Sequence, residues 1–391
     1  MIFILKKLYI HHRFLDQIRQ SIENPPYFKS KHMKLSLKIL LLIVCFPFLV
    51  GRVVAQNQGN AISEGPYIFF QGDQVNVKWV ENGQMKENLN PDLGFLRSEF
   101  NLGLDPKVFL DKKEEEVDFF QEYKNVPNLV VISDIHGQYG LSVELLKAHG
   151  IIDENTDWNY GKGHLVVNGD ILGRGDMVTE VLWLVYKLEH QAKAQGGKVH
   201  FLIGNHELMF IESDFRFLNE KYVSATKAMG IRTSDLYAEN AVLGNWLRKR
   251  PVIITIDDLL ITHAGISPSF LQRKLPAKKV NKQFYSHILK SSSRRKNALQ
   301  TFLTSDEGPL WYRGYFVEPF PSTQILDDVL DFFESKKIIV GHTSLRSITS
   351  LFEGRVIGVD GNIKEGITGE ILIIENGESF RGGRNGSRIK L

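Results

Sequence analysis

Five apolar runs in this sequence end in side chains that bind divalent metals. They are Val130-Val-Ile-Ser-Asp-Ile-His-Gly137, Val166-Val-Asn-Gly-Asp170, Phe201-Leu-Ile-Gly-Asn-His-Glu207, Leu260-Ile-Thr-His-Ala-Gly265 and Ile338-Ile-Val-Gly-His342. A strand alternates its side chains between two faces, so Asp134 and His136 leave the end of theirs on the same side. A carboxylate oxygen and an imidazole nitrogen then converge on one point, a donor pair suited to a borderline divalent cation. Any single histidine at such a position is most simply a packed structural residue. Five such strand ends together are not, because buried charge and imidazole without partners are costly. Asp134, His136, Asp170, Asn205, His206, His263 and His342 are therefore candidates for one shared site.

The elements that must position them can be read from periodicity. Strands are expected at 129–133, 165–168, 198–203, 252–256, 259–262, 337–340, 355–359 and 370–375. Apolar residues at helical spacing (Val178, Val181, Leu182, Val185, Leu188) predict a helix over 177–191. Further helices are expected at 142–149 and 326–335. Alternating runs on either side of Gly72-Asp73 predict a hairpin. Residues 84–128 read as irregular. The segment 207–250 reads as helical, with Phe210, Phe215, Phe217 and Tyr222 clustered, and could cap the site. Helices alternate with strands to about residue 206, and strands dominate the pattern after it. The expected fold class is α/β (α+β), a four-layer sandwich of two mixed β-sheets flanked by helices. Residues 56–128 form a lead-in, 129–376 one catalytic domain, and the Gly/Arg-rich tail from 377 is expected to fray.

Composition is that of a soluble globular protein, 43% hydrophobic and 24% charged. The front of the chain stands apart. From Met33 a basic stretch leads into an apolar run, Ile39 to Val50, and then to a small residue at Ala55. This reads as a signal peptide with Met33 as the start and residues 1–32 as an upstream extension. The run is short and broken by Pro47, so no stable membrane span is expected after cleavage, and a periplasmic or secreted location follows; an uncleaved anchor is the alternative. The whole chain carries 48 Lys+Arg and 45 Asp+Glu; residues 1–55 hold nine basic and two acidic residues, which leaves 39 against 43 and a net charge of −4. The basic character belongs to the leader, and no nucleic-acid partner is expected. The one cysteine, Cys45, lies in the same leader, so the mature chain has no disulfide, thiolate ligand or cysteine nucleophile.

Asp134-Ile-His136-Gly, Gly169-Asp170-x-x-x-Arg174-Gly175, Gly204-Asn205-His206-Glu207, His263-Ala-Gly and Gly341-His342 resemble the motifs of the calcineurin-like metallophosphoesterases. Within that superfamily they are similar to the phosphoprotein phosphatases and their Shewanella-like bacterial branch. The resemblance covers roughly residues 129–345. It implies a first metal on Asp134 and His136, Asp170 bridging, and a second metal on Asn205, His263 and His342. A water or hydroxide bridging the two cations (Mn, Fe, Zn or Co) would be the nucleophile. Arg174 would hold phosphate, with Asn205 beside it, and His206 would protonate the leaving oxygen. Arg313, in Pro309-Leu-Trp-Tyr-Arg313-Gly, resembles a further phosphate-binding arginine of the bacterial branch; otherwise it is a surface arginine beside packing aromatics. Two cations and two Asp ligands leave the site near +2, matched to a phosphate dianion.

One departure stands out. The family has Asp-Arg-Gly where this chain has Gly173-Arg174-Gly175. The missing Asp normally orients the histidine matching His206, which must find another partner, such as Asp176, or go without. The expected activity is phosphomonoester hydrolysis, on phosphorylated protein (phospho-Ser/Thr or phospho-Tyr) or a small phosphomonoester. A dinucleotide polyphosphate hydrolase or phosphodiesterase on the same core, and a catalytically weakened metal-binding scaffold, are the alternatives.

Overall fold

Short runs rich in Val, Ile and Leu set the architecture, because such residues fit a pleated surface buried on both faces. In a computed structural model, which describes residues 61–100, 102–110, 117–290 and 296–391, these runs form three sheets. β1 (Glu64–Gln71), β2 (Gln74–Glu81) and β3 (Gln84–Leu89) make an antiparallel meander. The other strands are β4 (Glu122–Tyr123), β5 (Asn128–Ile132), β6 (His164–Val167), β7 (Lys198–Phe201), β8 (Ile253–Ile256), β9 (Leu259–Thr262), β10 (Lys337–Val340), β11 (Thr349–Leu351), β12 (Val356–Gly358), β13 (Glu370–Glu375), β14 (Glu378–Gly383) and β15 (Arg388–Lys390). They form two mixed six-stranded sheets, ordered β15-β14-β13-β5-β6-β7 and β11-β12-β10-β9-β8-β4.

Alternation along β5 shows how the layers are made. Leu129 and Val131 point at the second sheet and pack with Ile254, Ile261, Ile339 and Ile357. Val130 and Ile132 point the other way, into the cluster that holds Leu145, Val181 and Leu188 of the helices Tyr139–Ala148 and Val178–Ala194. Each such side chain, fully buried, stabilises the fold by roughly 1.5–3 kcal/mol. Both sheets are thus covered by helices outside and by each other inside, the four-layer sandwich expected from sequence. β5, β6 and β7 run parallel, as do β9, β10 and β12. Parallel strands present their carboxyl ends on one edge, and the site lies there.

Three expectations change. Residues 84–128 hold β3, the helix Leu93–Phe100 and β4, not irregular chain alone. The tail past 377 does not fray: β13 has a free edge, and β14 pairs along it over six residues, followed by β15. Strands do not dominate after residue 206: the segment 207–250 is helical as expected, with Asn205–Ile211, Glu220–Met229 and Val242–Arg248, and the helices Pro268–Gln272, Ala277–Gln283, Ala298–Leu303 and Thr323–Phe332 follow it. That segment is braced by the meander: Lys221 Nζ lies 2.6 Å from buried Glu64 Oε2, and Phe70 N–H donates to Asn240 O at 2.7 Å. The leader and its signal-peptide reading lie outside the described residues. Among the described residues no helix is long and apolar enough to cross a membrane.

Candidate active site

The parallel pairing continues past the strand ends and carries the polar residues with it. Asp134 N–H donates to Gly169 O at 3.2 Å, and His136 N–H to Asp170 O at 2.9 Å. In the other sheet, just past β9 and β10, Gly341 N–H donates to His263 O at 2.7 Å. Two groups of donors result, His136–Asp170–His206 and Asp170–His263–His342, each with its ligand atoms within 4.8 Å of one another. Asp170 belongs to both: its Oδ2 is 3.6 Å from His136 Nε2, its Oδ1 3.4 Å from His263 Nε2. Asn205 joins the second group, with Oδ1 3.0 Å from His263 Nε2.

Asp134 sits beside these groups, not inside either. Its Oδ2 accepts Ser133 Oγ–H at 2.6 Å and His342 N–H at 3.0 Å. The second bond ties the first of the five segments to the last. It needs glycine at 341, where a Cβ would come 2.5 Å from Asp134 Oδ2. His206, to which the resemblance gave no ligand role, is instead one of the three donors of the first group, with Nε2 4.0 Å from Asp170 Oδ2.

Second partners fix which ring nitrogen faces inward. His136 Nδ1 donates to Leu172 O at 2.9 Å and His263 Nδ1 to Asn168 O at 2.8 Å, leaving each Nε2 toward Asp170. Burial pushes His136 down to about 3 and His342 to about 2, so both rings are neutral, the form that binds metal. Burial by itself would raise Asp170, but His263 beside it, by charge and by hydrogen bonding, holds its carboxyl well below the usual range. His263 Nε2 faces two oxygens, and Asp170 outweighs burial to raise its affinity for a proton. Burial and the charge of Asp360 raise Asp134. His342 Nε2 is buried and, among the described residues, has no hydrogen-bond partner. Imidazole nitrogens and carboxamide and carboxylate oxygens around one ionised carboxylate fit two divalent cations of the Mn, Fe, Zn or Co type.

Sequence reasoning gave Glu207 no role, and it organises the site. Its carboxylate is fully buried and accepts four backbone N–H groups: Asp170 and Gly204 at 2.8 Å on Oε2, Ile171 at 2.8 Å and Leu172 at 3.1 Å on Oε1. Burial and Asp170 push Glu207 up to about 7. Four donors on its two oxygens nevertheless leave no place for a proton, and they favour the ionised form. This clamp holds the turn on which Asp170 sits with φ +58°. Asp134, His136, Arg174 and His342 also have left-handed backbones. Such strain persists only where surrounding bonds impose it.

On the solvent side stand the arginines. Arg174 is exposed, its guanidinium 5.1 Å from the ring centre of Phe217. Arg313 is exposed too, and its Nη1 donates to His342 O at 2.9 Å, which ties it to the site rather than to open surface. Asp176 does not orient His206: among the described residues His206 Nδ1 has no hydrogen-bond partner.

Comparison with known proteins agrees with this fold. The profile of the calcineurin-like phosphoesterases matches residues 127–345. Shewanella-like protein phosphatase 2 of Arabidopsis thaliana is 34% identical over 38% of this chain and 35% of its own length. Shewanella-like protein phosphatase 1 of Plasmodium berghei (strain Anka) is 24% identical over 60% of this chain and 67% of its own. Among solved structures, the cold-active protein-tyrosine phosphatase of a psychrophilic Shewanella species is 35% identical, with a TM-score of 0.75 over 84% of this chain and 99% of that one.

Proposed function

This chain belongs to the calcineurin-like phosphoesterase family, and from that premise we propose the substrate and the residue roles that follow. The enzyme is a metal-dependent protein phosphatase. The observation that carries this reading is Asp170 shared between two donor groups on one sandwich edge. His136 and Asp170, with Asp134 beside them, would hold one cation, and Asp170, Asn205, His263 and His342 the other. When bound, the pair supplies Lewis acidity toward the phosphoryl oxygens and the attacking water.

The chain's own residues do the rest. Arg174 and Arg313, exposed at the mouth, bind the phosphate oxygens by charge-assisted hydrogen bonds. His206 presents Nε2 toward the centre and donates a proton to the leaving oxygen. Glu207 keeps the Asp170 turn from relaxing. The substrate is a phosphoprotein, with phosphotyrosine favoured by the likeness to a protein-tyrosine phosphatase. Purified protein supplied with Mn should release phosphate from a phosphotyrosyl peptide, faster than from a phosphothreonyl one, and EDTA should stop it. Hydrolysis of diadenosine tetraphosphate with no action on either peptide would overturn the reading. Export is proposed on the leader alone, and amino-terminal sequencing of the periplasmic form should find residues up to about 55 removed.

A further inference from the structure

We propose that Phe217 is the positioning residue of His206 and Arg174, taking the place of the carboxylate this chain lacks at 173. The proposal rests on the phosphatase reading above. It starts from the ring of His206. Nε2 faces Asp170, and the opposite nitrogen, Nδ1, faces Gly173, where a Cβ would lie 2.8 Å from it. Among the described residues no carboxylate hydrogen-bonds this ring at Nδ1, and the Leu172 carbonyl is the backbone acceptor nearest to it. Its faces are held instead. His136 meets it edge-on, with ring centres 4.5 Å apart and planes at 71°. Phe217 lies against it at 5.0 Å, inclined by only 33°. A tilted ring contact of this kind restricts rotation of the imidazole plane.

The same Phe217 ring carries the Arg174 guanidinium at 5.1 Å. One aromatic side chain thus touches both groups assigned to the phosphate ester, the arginine on the phosphoryl oxygens and the imidazole at the leaving oxygen. Its backbone is fixed to the same place. Arg174 N–H donates to Phe217 O at 2.7 Å, and Asn219 Nδ2 donates to Arg174 O at 2.9 Å. These bonds hold Arg174 in its left-handed conformation, φ +68°. The loop is anchored behind by Asp214 N–H to Met209 O at 2.7 Å and by Phe215 against Phe210 at 5.6 Å. Phe217 itself remains 39% exposed.

The two devices differ chemically. A carboxylate at Nδ1 fixes the ring and also stabilises its positive charge; a phenyl ring fixes the plane alone. Losing Phe217 should therefore damage orientation, and most where the leaving group needs a proton. Kinetics of Phe217→Leu, Phe217→Tyr and Phe217→Trp on phenyl phosphate and p-nitrophenyl phosphate test this, with metal content measured on each protein. Phe217→Leu should keep the wild-type metal content, raise KM on both substrates, and lose at least about tenfold more kcat on phenyl phosphate than on p-nitrophenyl phosphate. Phe217→Tyr and Phe217→Trp should restore most of that loss. In metal-free, histidine-labelled protein the His206 ring protons should move downfield in Phe217→Leu as the phenyl ring current is removed. Equal losses on the two substrates, no rescue by the aromatic variants, or an unmoved His206 signal would overturn the proposal. Wild-type turnover of p-nitrophenyl phosphate in the same assay leaves the phosphatase reading standing in each case, and its absence refutes that reading instead.

Discussion

The Glu207 carboxylate accepts the backbone N–H of Asp170 at 2.8 Å, so the residue that joins the two donor groups is held through its own main chain. Gln at 207 keeps the shape but turns an NH2 group toward backbone donors that need an acceptor. Each buried donor left unsatisfied costs about 1–3 kcal/mol. Glu207→Gln should lose about 2–4 kcal/mol in urea unfolding and bind metal more weakly, although it touches no metal. Wild-type stability and metal affinity in this variant would show that the clamp does not matter.

Gly173 has φ +82°, and a Cβ on it would lie 2.8 Å from His206 Nδ1 and 3.2 Å from Phe217 O. Gly173→Ala should push the imidazole aside and lower kcat by roughly 100-fold, since displacements near 1 Å can cost that much. Gly173→Asp restores the family's residue but enters through the same contact, and its rate should fall as well. A rate above wild type for Gly173→Asp would mean that the loop yields and that His206 gains from a carboxylate.

These residues also mark how far the sequence could be read. The strand ends were legible because an apolar run followed by Asp, His or Asn at a turn is improbable as packing, and all seven donors do gather on one edge of the sandwich. Glu207 was in plain view in Gly204-Asn-His-Glu207, yet its role depends on amides from two separate segments, and no residue pattern encodes where amides point. Phe217 read as one of a cluster of aromatics, because stacking on His206 is a relation in space. The tail misled for another reason. Its glycines and arginines describe an exposed segment, and the free edge of β13 decides that the segment pairs.

A histidine pair away from the site gives the protein an acid limit. His200 is buried, its Nε2 lies 3.0 Å from His164 Nδ1, and burial followed by the nearby charges of His164 and Lys198 holds it well below its ordinary value. Burial and Lys198 lower His164 to about 4. Unfolded histidine titrates near 6.5, so the unfolded chain takes up protons first. The stabilising contribution of neutral rings is complete above pH 6.5 and is lost as pH falls from there toward 4. Urea unfolding of metal-free protein at pH 7.5, 6 and 5 should show this loss, less steeply in His200→Phe. Parallel curves for the two proteins would rule the pair out.

Arg174 and Arg313 should separate in their effects. Arg174→Ala removes a guanidinium that lies on the Phe217 ring and whose charge also bears on His136 and His206, and kcat/KM should fall about 10- to 100-fold with metal content unchanged. Arg313→Ala also removes the donor to His342 O, so it should weaken metal retention in addition to phosphate binding. Equal metal retention in both variants would assign Arg313 to substrate alone.

The count of metal ions per chain, by elemental analysis of purified protein after equilibration with Mn or Zn, bears most directly on whether Asp170 joins two cation sites. Two ions per wild-type chain, one or fewer in Asp170→Asn, and no turnover of p-nitrophenyl phosphate by that variant are the expected results. No bound ion in the wild type, or two ions with full turnover in Asp170→Asn, would contradict it.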